Sequence, residues 1–107
     1  MDDNVGVVLK WLKDQGLEQD TIVIFTTDNG AETFTYPDGG TTPFAGSKGM
    51  VMDGGYRVPA IVKWPGHVPA GTVSSGIISG LDWFPTLTSI AGNPDVTNQF
   101  VLRMLVA

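Results

Sequence analysis

The sequence predicts an α/β fold, a mostly parallel sheet with flanking helices and one long glycine-rich loop. Three observations predict it. A helical apolar period opens the chain, a continuous β-branched run follows after a short turn, and a stretch without any period comes next.

Val5, Val8, Leu9 and Leu12 follow the i, i+3, i+4, i+7 template of one helix face, with Trp11 at its edge. Asp2 and Asp3 complement the positive end of the helix dipole, and Lys10 and Lys13 the negative end. Gly16 is a natural stop. A helix is expected over residues 2–15. Thr21 to Thr27 reads Thr-Ile-Val-Ile-Phe-Thr-Thr, a composition that suits a strand covered on both faces, as in a parallel sheet.

Residues 30–52 show no period and contain Pro37, Gly39, Gly40, Pro43, Gly46 and Gly49. So long a structureless stretch in a small domain is often functional. Val58 to Lys63 reads as a second strand closed by the Trp64-Pro65-Gly66 turn, and Val73 to Ser79 as a further one. Asp82 is expected to cap a short helix through Ile90, with Pro85 in its first turn and Gly92 ending it.

With 107 residues there is room for one small domain. Its 14 glycines and 7 prolines imply much loop and a thin core, which favours support from neighbouring structure. A net charge of −5 argues against a nucleic-acid surface. The absence of cysteine excludes disulfides, zinc–thiolate sites and thiol nucleophiles within these residues. No apolar run approaches the roughly 20 residues of a membrane span, and no signal-peptide pattern is present. Met1 fits a true start or an internal methionine alike.

Three segments carry candidate chemistry. Asp28 and Asn29 stand at the carboxyl end of the buried run, where ligands sit in open α/β sheets. A carboxylate beside an amide carbonyl offers hard oxygen donors that suit Ca²⁺ or Mg²⁺. Asp-Asn-Gly is also a good turn sequence, and those residues alone leave both readings open. Lys48, flanked by Gly46 and Gly49, is placed to meet an anion or simply to face solvent. Gly54 and Gly55 permit positive φ or close backbone approach, and Arg57 suits an oxyanion or, more simply, a structural ion pair. His67, the only histidine, reads as a surface loop residue.

Taken in order, these segments resemble the sulfatase family of the alkaline-phosphatase-like superfamily. The resemblance begins with the Met1–Leu17 helix and runs through Thr21 to Gly30, Pro43-Phe44-Ala45-Gly46-Ser47-Lys48-Gly49, Gly54-Gly55-Tyr56-Arg57-Val58-Pro59, Trp64-Pro65-Gly66-His67 and Leu81 to Leu87, up to Ala91-Gly92, covering roughly residues 1–95. Each motif is weak alone; their order and spacing make them strong. The resemblance implies a partial alkaline-phosphatase-like fold, with residues 1–98 as part of a catalytic domain and 99–107 as a divergent or truncated tail. It implies Asp28 and Asn29 as ligands of an active-site calcium, Lys48 as a contact to the sulfate of a sulfate ester, and a formylglycine nucleophile elsewhere in the parent enzyme. Such enzymes are often periplasmic, extracellular or lysosomal.

The sequence also departs from the family pattern. It contains no Cys/Ser-x-Pro/Ala-x-Arg motif, so no nucleophile lies in this chain. Asp2-Asp3 lacks the buried strand that precedes the family's paired metal-binding aspartates. Ala45, Asp53 and Gly80 stand where Arg, Glu and His are common. The chain is therefore expected to be the C-terminal part of a catalytic domain, inactive alone and dependent on the missing N-terminal part. The alternatives are a fragment of a phosphodiesterase or phosphonate monoester hydrolase of the same superfamily, and a non-catalytic binding remnant.

Overall fold

The computed structural model describes residues 1–33, 40 and 42–96. They fall into two compact units, Met1–Thr72 and a second beginning at Val73. The expected tail, 99–107, and the loop residues 34–39 and 41 lie outside the described residues.

In the first unit, α1 spans Asp2–Asp14, one residue short of the expected end. Gly16, at φ 70°, stops it. The Gly16 N–H donates to the Lys13 carbonyl (3.0 Å) and the Leu17 N–H to that of Leu12 (2.9 Å), the paired bonds of a Schellman cap. A single 3₁₀ turn, Glu18–Asp20, leads to β1, Val23–Thr26. A one-turn helix, α2 (Asp53–Tyr56), precedes β2, Ala60–Lys63. The sequence reading missed α2, because one turn is too short to show a period.

The expectation of a mostly parallel sheet is corrected by the strand pairing. Among the described residues β1 and β2 form an antiparallel pair, with Val23 opposite Lys63 and Phe25 opposite Ile61. The β-branched run signals burial, and burial does not encode direction. Glu18 accepts a hydrogen bond from Lys63 Nζ at 2.6 Å, tying the 3₁₀ turn to β2. Val5 and Leu9 of α1 face Val23, Phe25 and Ile61 across an open apolar groove of about 430 Å³.

In the second unit, α3 spans Gly80–Ile90. Its start corrects the expected cap. Ser79 is the N-cap, accepting from the Leu81 N–H (3.2 Å), while Asp82 in the first turn accepts from the Ser79 N–H at 2.6 Å. Both residues thus satisfy groups that the helix start would leave orphaned. Pro85 consequently lies inside α3 rather than in its first turn. Gly92, at φ 103°, ends the helix as expected, with a second Schellman pair through Ser89 and Thr88.

The strand expected over Val73 to Ser79 is not formed, and all of those residues are exposed. Ser74 Oγ accepts from the Gly76 N–H at 3.2 Å, a local bond that competes with extended pairing.

Candidate functional site

The end of β1, the glycine-rich loop and α2 are joined by backbone hydrogen bonds. The Gly30 N–H donates to the Gly55 carbonyl (2.9 Å), the Gly54 N–H to Ala45 (2.8 Å), and the Lys48 N–H to Ala31 (3.0 Å). The joint is possible because side chains are absent from it. A Cβ on Gly30 would stand 1.8 Å from the Gly54 carbonyl oxygen, one on Gly54 2.3 Å from that of Gly46, and one on Gly55 2.2 Å from that of Met50. Neither Gly54 nor Gly55 has positive φ. Of the two readings of this glycine pair, close backbone approach is therefore the one observed. Gly46 and Gly49, by contrast, do take positive φ, 94° and 85°, on either side of Ser47-Lys48.

Asp28, exposed, and Asn29, half-buried, lead into this joint from the β1 end. The Asp28 carboxylate has no hydrogen-bond partner among the described residues. Asn29 Nδ2 donates to the Gly30 carbonyl at 2.9 Å. Among the described residues, no group of three or more His, Cys, Asp or Glu side chains is arranged to hold a metal ion.

Lys48 is anchored through its backbone at Ala31, and its ammonium lies 3.3 Å from the Glu32 carboxylate. Arg57 forms an ion pair with Asp53 (3.2 Å) and covers the Phe44 ring at 4.2 Å from its centroid. The simpler reading of Arg57, a structural pair, describes what the side chain does. The Tyr56 hydroxyl also donates to Asp53 (3.0 Å); this bond and the Asp53 charge hold the Tyr56 phenol above its usual pKa. His67 is exposed, stacked on Trp64 at 4.1 Å, as expected of a surface turn residue.

Two residues of this region escaped the sequence reading. Glu32 was passed over because nothing in a loop of no period marks one carboxylate over another. Ser47 is 4% exposed and its hydroxyl has no hydrogen-bond partner among the described residues. Its place between Gly46 and Lys48 was the available signal.

Residues 1–93 match the family model described as Sulfatase. The chain belongs to the sulfatase family. It is 44% identical over 94 residues to the N-acetylgalactosamine-6-sulfatase of Mus musculus, covering 86% of this chain and 18% of that protein. It is 42% identical over 95 residues to the arylsulfatase A of Homo sapiens, covering 88% and 18%. Among solved structures it is similar to the PsFucS1 sulfatase from Pseudoalteromonas sp., with a TM-score of 0.68, 42% identity, and coverage of 72% of this chain and 15% of that one. A second is Ps i-CgsB in complex with k-i-k-neocarrahexaose, with a TM-score of 0.78, 37% identity, and coverage of 85% and 20%. This sulfatase chain thus spans about a fifth of the length of these relatives. No helix among its described residues is long and apolar enough to cross a membrane.

Proposed function

We propose that this chain is part of the active site of a sulfuric ester hydrolase, supplying Asp28 and Asn29 to a calcium ion and Lys48 to the sulfate group. The observation that supports this most is the backbone joint, which holds the Lys48 segment against Ala31, just past Asp28-Asn29, in a chain of the sulfatase family.

The donors fit a hard divalent cation in kind. Asp28 offers a carboxylate without a partner among the described residues. Asn29, its Nδ2 engaged with Gly30, keeps Oδ1 as its remaining donor. They do not complete a shell of roughly six to eight oxygens, so the shell needs further oxygen ligands from protein or water. When bound, calcium supplies Lewis-acid polarisation of ester oxygens. The residues of this chain do two things: the strand end presents oxygen donors, and the loop presents an ammonium to a sulfate anion. The names N-acetylgalactosamine-6-sulfatase and arylsulfatase A differ in the alcohol and share the sulfate. They favour a sulfate ester over a phosphodiester or phosphonate.

The test compares the complete gene product with its Asp28→Ala and Lys48→Ala variants on an aryl sulfate, alongside calorimetric calcium titration. Asp28→Ala is expected to abolish the calcium heat and most turnover. Lys48→Ala is expected to lower kcat/KM by about 10²-fold while leaving calcium binding intact. Wild-type turnover by either variant would overturn the role of that residue. The 107-residue chain alone is expected to hydrolyse no sulfate ester, and clear turnover by it would contradict the shared-site reading.

A further inference from the structure

We infer that Glu32 is a positioning residue for Lys48, holding its ammonium where the sulfate of the substrate binds. This rests on the sulfate-contact reading of Lys48. Two attachments to adjacent residues define the geometry. The Lys48 N–H donates to the Ala31 carbonyl at 3.0 Å, and its Nζ lies 3.3 Å from Glu32 Oε2. Backbone and side-chain tip of one lysine are thus tied to successive residues of the segment that leaves Asp28-Asn29. The pair is about half-exposed, so its contribution to stability is small.

Its consequence is positional. A lysine has several rotatable bonds, and ordering them on substrate binding opposes affinity. An ammonium has three N–H donors; one directed at Glu32 leaves the others for sulfate oxygens. Gly46 and Gly49 at positive φ set the backbone that carries the lysine. Such preorganisation acts equally on bound substrate and transition state, so its loss raises KM and leaves kcat unchanged.

The experiment is a double-mutant cycle in the complete gene product, with 4-nitrophenyl sulfate as the probe. Glu32→Gln, which keeps size and an acceptor but removes the charge, is expected to raise KM about 3- to 10-fold with kcat near wild type. Glu32→Ala is expected to match or exceed that rise, and serves if the first variant folds poorly. In the Lys48→Ala background, Glu32→Gln is expected to add nothing. An equal KM rise in both backgrounds would overturn the inference, because Glu32 would then act other than through Lys48. So would a wild-type KM in Glu32→Gln, or a fall in kcat alone. Unchanged kinetics in Lys48→Ala would instead overturn the sulfate-contact reading, and absent turnover in the wild type the hydrolase reading; neither pattern resembles failure of the Glu32 link.

Discussion

At Gly30 a single hydrogen atom stands where a methyl group would meet the Gly54 carbonyl oxygen at 1.8 Å. Backbone, not a flexible side chain, fills that space, so an alanine there must push two segments apart. Gly30→Ala is expected to cost about 3 kcal/mol in the complete gene product, read by chemical denaturation. Because the same joint places Lys48, sulfate turnover is expected to fall with stability. Gly6 is the contrast. It lies within α1 with nothing near its missing Cβ, and Gly6→Ala is expected to stabilise by about 0.5–1 kcal/mol. A Gly30→Ala protein as stable as wild type would mean that the close approach is not maintained in solution.

Among the elements, the 3₁₀ turn and β2 are linked by Glu18 and Lys63. The hydrogen bond from Lys63, reinforced by its charge, holds the Glu18 carboxyl below its usual pKa. A depressed acid contributes stability that is present above its unfolded-state pKa and is lost as pH falls through the lower folded-state value. Glu18→Gln is therefore expected to flatten the acid side of the stability–pH curve and to leave the alkaline side unchanged, as followed by thermal melts from neutral pH downward. The effect is small, since both side chains remain partly exposed to solvent. At α3 the reciprocal cap of Ser79 and Asp82 makes a separate case: Ser79→Ala is expected to destabilise the helix by about 1 kcal/mol, measured by denaturation.

Over the whole molecule, apolar side chains are conspicuous by their exposure. Trp11, Val51 and Ile61 in the first unit are 56%, 93% and 62% exposed; in the second, Val73, Ile77 and Leu81 are 96%, 86% and 85% exposed. Val96 is the one large hydrophobic buried among the described residues. So much open apolar surface is unusual for a self-sufficient domain. The isolated 107-residue chain is accordingly expected to bind ANS strongly and to melt without a cooperative transition. Low ANS binding and a sharp melt would show instead that these faces find partners within the chain.

By itself the sequence determined the local signals and the family. The apolar face of α1, the stops at Gly16 and Gly92, the β-branched run ending in Asp28-Asn29 and the ordered glycine motifs were legible, because each depends on side chains close together along the chain. The tertiary structure decided what depends on distant segments meeting. It made β1 and β2 antiparallel, left 73–79 without a strand partner, and began α3 at a cap shared by Ser79 and Asp82. It also showed that Gly30, Gly54 and Gly55 serve close approach, and that Lys48 is held at both ends by Ala31 and Glu32. Strand direction and carbonyl contacts across a long loop leave no periodic trace in sequence, since a backbone hydrogen bond requires no particular residue, only the absence of one too large.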